Sequence, residues 1–285
     1  MSSQAVENPY QDWVGREETC AEILAEPAVR AMAATLDLAV APASGDALPP
    51  GWHWMYFNAV VRRSELGADG HPARGGFLPP VALPRRMWAG SRISYQRPLP
   101  VGAEATRRSE ILSVASKQGK AGALCFVTVE HTISDAGGPC IVEQQDIVYK
   151  EATPPGTAPA TPKVYEEVAE WTRDVTPDTT LLFRYSALTF NGHRIHYDLD
   201  YAQHEEGYPQ LVVHGPLTAT LLQQFALEHA AGRRLQQFDF RAVAPLFVDR
   251  AFTLEARRSG ENALEVWARG PEGQLAMQAS AVFGE

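Results

Sequence analysis

The chain has 285 residues, 45% of them apolar and 21% charged, a balance that excludes general disorder and can bury the cores of about two domains. A net charge of −9 argues against nucleic acid or an anionic membrane as partner, because both reward a basic face. Three cysteines (Cys20, Cys125 and Cys140), none in a CxxC pair, make neither a disulfide framework nor a zinc knuckle.

In chain order, the opening MSSQAVENPYQDW carries no basic and apolar leader. No later run approaches the ~20 apolar residues of a membrane span. A reduced, soluble, cytoplasmic protein is the expectation. Arg16 to Leu38 reads as helix, restarted at Pro27, which suits a first helical position. After Arg92 come four β-type runs: ISYQRPL, ATRRSEILSVAS, GALCFVTVEHTIS and CIVEQQDIVYK. The segment EATPPGTAPATPK, residues 151–163, has four prolines and no large apolar residue. It reads as an exposed linker between an N-terminal unit, 1–150, and a C-terminal unit, 164–285.

Beyond the linker, Pro216 to Ala231 is the strongest helix. Leu217, Leu221, Leu222, Phe225 and Ala226 form one stripe, with Gly215 before it and Gly232 after. The strand runs LQQFDFRAVAPLFV, RAFTLEARRS, ALEVWARG and QLAMQASAVF follow. The two units share a plan. Pro98-Leu99-Pro100-Val101 answers Pro245-Leu246-Phe247-Val248 at an offset of 147, and Leu36 answers Leu188 at an offset of 152. Similar offsets in the same order indicate an internal duplication. The expectation is a long helix and an antiparallel sheet in each half, with the two sheets joined edge to edge. The order of elements alone also fits other α+β folds.

The densest polar cluster runs from Tyr185 through Asn191, His193, Arg194 and His196 to Asp198, and Val213-His214-Gly215-Pro216 then opens the apolar helix. General base chemistry beside a carbonyl needs these parts: a titratable imidazole, a positioning amide, and backbone donors for a developing oxyanion. Each has a plainer alternative. The two histidines are also compatible with satisfied structural imidazoles. HxxH is compatible with a metal, but no third ligand has clear spacing, so no metal is expected. Trp52, Trp54, Tyr56 and Phe57 read as core or pocket wall.

The cluster resembles the hydratase motif of MaoC-type, or type-2, enoyl-CoA hydratases and dehydratases. That motif runs aromatic, small, Gly-Asp-x-Asn-Pro-Ile-His, with an Ala six residues on. Ile195, His196, Asp198 and Ala202 match it, and Val213-His214-Gly215 resembles the downstream helix entry whose Gly N–H helps form an oxyanion hole. FNGHRIHYD, with GGFLPPVALPRRMWAG in the first half, looks closer to the subgroup of itaconyl-CoA and mesaconyl-CoA hydratases and mitochondrial-type 3-hydroxyacyl-thioester dehydratases. Two positions depart from the motif. Asn191 stands where the wider family has its catalytic Asp, and His193 where it has Asn.

The resemblance implies an α+β double hot-dog fold that pairs into homo-oligomers, and a hydro-lyase acting on an acyl-CoA. It implies no cofactor beyond the substrate's own CoA. An amide cannot serve as general base, so His196 is expected to carry the acid–base work, with His193 second, Asn191 positioning and Gly215 donating to the oxyanion. His214 is expected at the substrate. Arg85 and Arg86 are candidates for the CoA phosphates, and Arg184 or Arg194 for an acyl carboxylate. The expected substrate is a short branched dicarboxylyl-CoA such as itaconyl- or mesaconyl-CoA, giving citramalyl-CoA. The alternatives are a 3-hydroxyacyl-thioester dehydratase, a hot-dog thioesterase and a non-catalytic acyl-CoA binder.

Overall fold

The computed structural model describes residues 9–119, 122–152 and 164–284, so nearly all of the expected linker lies outside the described residues. The first half carries β1 (Glu17–Ile23), α1 (Glu26–Thr35), β2 (Arg85–Tyr95), β3 (Glu104–Gly119), β4 (Gly122–Asp135) and β5 (Gly138–Lys150). The second carries β6 (Trp171–Val175), α2 (Thr179–Leu188), α3 (Leu199–His204), α4 (Gly215–Glu228), β7 (Arg234–Ala242), β8 (Phe252–Gly260), β9 (Ala263–Arg269) and β10 (Leu275–Gly284).

The strands form one antiparallel sheet in the order β1-β3-β4-β5-β2-β7-β10-β9-β8-β6. Replacing each strand of the first half by its counterpart five later turns one side of this order into the other. The halves meet where β2 pairs with β7, from Gly90 opposite Arg241 to Ser94 opposite Gln237. A side chain at Gly90 would place its Cβ 2.2 Å from the Phe240 carbonyl oxygen, so the joint closes only over a glycine.

The repeated sequence segments occupy equivalent places. Leu48 N–H donates to the Leu99 carbonyl and Val101 N–H to that of Asp46; in the second half Val213 donates to Leu246 and Val248 to Leu211. The first helix of each half also stops alike. Asp37 (φ 55°) and Phe190 (φ 49°) take left-handed backbone. The following N–H groups, of Leu38 and Asn191, reach back to the Ala33 and Ser186 carbonyls at 2.9 Å.

Two expectations need correction. Residues 17–23 are not helical. They form the edge strand β1, in which Glu17 and Glu18 pair with Arg108 and Arg107 of β3, and cross-strand charge pairs plus ladder bonds outweigh a helix-compatible composition. Nor do the described residues of the first half hold a long helix beyond the ten-residue α1. Where the second half runs into α4, the first turns at Gly51 (φ 82°) into a single 3-10 turn, Trp52–Met55. Trp52, Met55, Tyr56 and Phe57 are buried there and join the core cluster that also holds Leu217, Leu222 and Phe225 of α4. Bulky rings thus fill what a helix fills on the other side.

Candidate active site

A cavity of about 850 Å³ opens between the halves. Its wall includes Asn191, His193, His196 and Gly215 from the second half and His71 and Arg86 from the first. Asp178 caps α2 by accepting from the Leu181 N–H at 2.7 Å, and the left-handed Phe190 ends the helix and turns the chain toward this wall. Asn191 Oδ1 then accepts the His193 N–H at 3.0 Å, a local turn that fixes both residues. Its amide nitrogen is not used by that bond.

His196 sits in the 3-10 turn Arg194–His196 and is 7% exposed. Its Nδ1 lies 2.7 Å from the Val212 carbonyl oxygen, which can only accept, so Nδ1 carries the proton and Nε2 the lone pair. The ring stacks on His214 at 3.7 Å and meets His193 edge-on at 5.6 Å. His214 is fully buried, with Nε2 2.8 Å from Ser186 Oγ. Burial pushes His193 and His196 down to about 3, and His214 well below the ordinary histidine value. All three are neutral at neutral pH, and His196 offers an unprotonated Nε2 as a base.

His214 is the N-cap of α4, and Gly215 its first residue. The first N–H groups of a helix have no carbonyl inside it to bond, and they sit at the positive end of its dipole. Gly215 lines the cavity at this end, and nothing lies within 4 Å of where a Cβ would be. Asp198 is occupied elsewhere. It caps α3 by accepting from the Tyr201 N–H at 3.1 Å and pairs with Arg194 at 2.7 Å.

The arginines divide differently from the sequence expectation. Arg85, 9% exposed, lines the cavity but pairs with Glu206, Nε to Oε2 at 3.2 Å. Arg86 also lines it, and its charge helps to disfavour protonation of His71 and His193. Arg184 is exposed on α2, and neither it nor Arg194 is among the residues of the cavity wall. Arg194 stacks 4.2 Å over the Tyr201 ring and donates to the Ala68 carbonyl. Both are therefore poorly placed to meet an acyl carboxylate.

Sequence reading missed Asp69 and His71, which reach this site from the first half. One donor atom from each of Asp69, His71 and His193 lies within 4.8 Å of the others, a set whose chemistry suits a divalent metal. His196 is not part of that set, so HxxH does not act as a chelating pair. The Asp69 Oδ2 and His71 Nδ1 atoms face each other across a 3.1 Å hydrogen bond. The only sequence signal was the dipeptide Asp69-Gly70, a turn former, beside a histidine.

A family model described as hydroxyacyl-thioester dehydratase type 2 matches residues 51–248. The chain is 47% identical to a mesaconyl-C(4)-CoA hydratase of Chloroflexus aurantiacus, over 96% of this chain and 98% of that protein. It is 26% identical to a mitochondrial hydroxyacyl-thioester dehydratase type 2 of Schizosaccharomyces pombe, over 75% and 79%. Among solved structures, a MaoC-like dehydratase from Phytophthora capsici superposes with a TM-score of 0.70 at 15% identity, covering 95% of this chain and 96% of that one. A Mycobacterium tuberculosis protein described as a double hotdog fold superposes at 0.56 and 14% identity, covering 99% and 100%. These likenesses place the α+β sheet described above in the double hot-dog class.

Proposed function

We propose the following reaction for a chain that belongs to the hydroxyacyl-thioester dehydratase type 2 family of MaoC-like hydro-lyases. It adds water reversibly across the α,β double bond of a short dicarboxylyl-CoA of the mesaconyl or itaconyl kind, giving citramalyl-CoA. The observation that carries this reading is the pairing of His196 with the start of α4. One imidazole with a fixed tautomer and a free Nε2, and one helix N-terminus, line the same cavity.

His196 Nε2 takes the proton of the attacking water as oxygen bonds to the β-carbon, and the π electrons move onto the thioester. The Gly215 N–H stabilises the resulting enolate oxygen, a donor typically worth ~3 kcal/mol in the transition state. Proton delivery to the α-carbon completes the addition. Asn191, whose amide cannot titrate, holds the water or the thioester, and His193 supplies the second imidazole. The thioester itself acidifies the α-proton. Arg86, a cation on the cavity wall, is the best-placed partner for a substrate carboxylate or phosphate.

A second reading, dehydration of 3-hydroxyacyl thioesters, draws support from the names of the yeast relative and of the family. It runs the same chemistry in reverse. Mesaconyl-, itaconyl-, crotonyl- and 3-hydroxyacyl-CoA are to be assayed side by side at the enoyl-thioester absorbance, with free thiol measured in parallel. Loss of absorbance on the dicarboxylyl substrates without thiol release is the expected result. Thiol release makes the protein a thioesterase, and binding with unchanged absorbance makes it a carrier.

A further inference from the structure

We propose that the first half completes the acid–base machinery of this site: His71, oriented by Asp69, works with His193 and His196 on the substrate, and Asp69 restores in space the carboxylate missing at Asn191. The inference rests on the hydratase reading. Its ground is a turn built to reach across the molecule. Gly70 N–H donates to the Gly67 carbonyl, Gly67 N–H to that of His71, and Ala73 N–H to that of Glu65, closing residues 65–73 into a tight loop. The loop seats directly on the segment that carries the second-half imidazoles. Arg194 N–H donates to the Asp69 carbonyl at 2.9 Å, and the Arg194 guanidinium donates to that of Ala68 at 3.1 Å.

Gly70 makes the seat possible. Its φ is 86°, and a Cβ there would stand 2.0 Å from the Gly192 carbonyl oxygen. The chain therefore brings Asp69 and His71 to within backbone contact of the turn between Asn191 and His193. Asp69 holds His71 twice: Oδ1 accepts its backbone N–H at 3.0 Å and Oδ2 its Nδ1–H at 3.1 Å. That fixes the tautomer and leaves the lone pair on Nε2. The His71 ring stands 4.3 Å from that of His193 and lines the same cavity.

The chemistry needs such a pair. Hydration takes one proton from water and places one on the α-carbon. The proton that His196 takes from water is relayed through His193 to His71, and the imidazolium so formed beside Asp69 delivers it to the α-carbon, so every imidazole ends neutral and the count closes. Asp69 stabilises the imidazolium stage, as a carboxylate behind an imidazole does in nucleophile–base triads. Asp69 is a positioning residue, since it acts through His71. Burial pushes the His71 imidazole down. The Asp69 carboxyl, in spite of its own burial, is held well below the carboxylate range by His71 and so stays ionised. The groups facing His71 are the charged Asp69 and Arg86 and the neutral, titratable His193.

The test uses the full chain and whichever enoyl-CoA the unaltered protein hydrates. His71→Ala and His71→Gln are expected to lower kcat by ~10²–10³-fold with little change in KM. Added imidazole should recover part of the His71→Ala rate. Asp69→Asn is expected to lower kcat less and to displace the acidic limb of the kcat–pH profile, which a purely structural carboxylate would not move. Melting temperatures separate folding from chemistry, and His71→Gln carries the test if His71→Ala does not fold. Wild-type kcat and an unshifted profile in both His71→Gln and Asp69→Asn overturn the proposal. So does activity that a chelator removes and Zn²⁺ restores, which would make the cluster a metal site. If the unaltered protein hydrates no enoyl-CoA, the hydratase reading falls and this proposal with it.

Discussion

The two halves stop their first helix alike, with a left-handed residue (Asp37 or Phe190) and the same backward hydrogen bond, yet the residue just after that stop is Leu38 in one and Asn191 in the other. From there they diverge. The second half goes on through His193 and His196 into α4, whose N-terminus lines the cavity. The first half fills the same place with a 3-10 turn and rings. It spends its extra chain on the long connection between Phe57 and β2, a length that in compact domains usually signals function. In this repeated scaffold one half presents the helix end, and the long connection of the other crosses over and brings Asp69 and His71 to the same site.

The sharpest way to break this comparison is to remove one buried imidazole from each half. His196→Ala should lower hydration by ~10²–10⁴-fold with the fold intact, measured at the enoyl-thioester absorbance. His53, 3% exposed, faces the same cavity but bonds the buried Glu143 at 3.0 Å, together with Trp54 and Ser91. His53→Ala should instead lower stability by about 3 kcal/mol in urea titration, because it strands a buried carboxylate. Equal losses of rate from both changes would erase the division of labour.

Much of this was legible in the sequence because the signals were local. The α4 stripe, the four strands after it and those of β3 to β5 all carry their own period, and the paired segments at Pro98 and Pro245 mark the same place in each half. His196 was legible from motif and spacing. Three things were not. β1 looks helical by composition, and only its partner strand decides otherwise. The short edge strand β6 carries too few residues for a period to show. Asp69 and His71 lie more than 100 residues from the histidines they join, so no spacing rule connects them. The arginines failed for a related reason: Arg194 sits beside the motif in sequence but bonds away from the cavity, to Asp198 and Ala68.

Acid should weaken the protein, and more through the second half than the first. His193 and His196 are held near 3, and His214 is lowered as well; in the first half His131 is pushed down to about 4 and His71 is also lowered, in each case chiefly by burial. Their folded values lie below the unfolded ~6.5, so the unfolded chain binds more protons across the gap. Stability is full above about pH 6.5 and falls as pH drops, by up to about 1.4 kcal/mol per unit for each such group. Glu143, held down to about 2 by His53 despite its burial, adds to the loss below about 4.5. Urea midpoints should fall between pH 7 and 5, and His196→Gln should flatten that slope. A midpoint that does not move would show these imidazoles are not held neutral.

The arginine comparison is expected to give a smaller effect. Arg86→Ala should lower turnover of mesaconyl- or itaconyl-CoA relative to crotonyl-CoA by roughly ten- to a hundredfold if it meets the acyl carboxylate, a charge-assisted bond being worth about 1.5–3 kcal/mol. If it meets a CoA phosphate, all three substrates should lose alike, chiefly in KM. Arg184→Ala, on the exposed face of α2, should leave both the ratio and KM unchanged. A ratio that moves with Arg184 and not with Arg86 would return the carboxylate to the motif side.

The smallest expected effect separates the two equivalent helices, α1 and α2. Asp178 caps α2 by accepting from the Leu181 N–H, so Asp178→Ala removes a side-chain acceptor and should cost about 1 kcal/mol. α1 has Ala25 in the capping position and no side-chain cap. Yet its start lacks little. Pro27 has no N–H to satisfy, and Ala28 N–H already donates to the Ala25 carbonyl at 3.1 Å. Ala25→Ser therefore offers an acceptor where the donors within reach are absent or taken, and should shift the midpoint by no more than about 0.5 kcal/mol. The same substitution class, applied at matched places in a duplicated chain, should thus matter on one side only. A gain of a full kcal/mol from Ala25→Ser would mean that the α1 terminus has an unmet donor and that the two helix starts are more alike in their needs than the hydrogen bonds say.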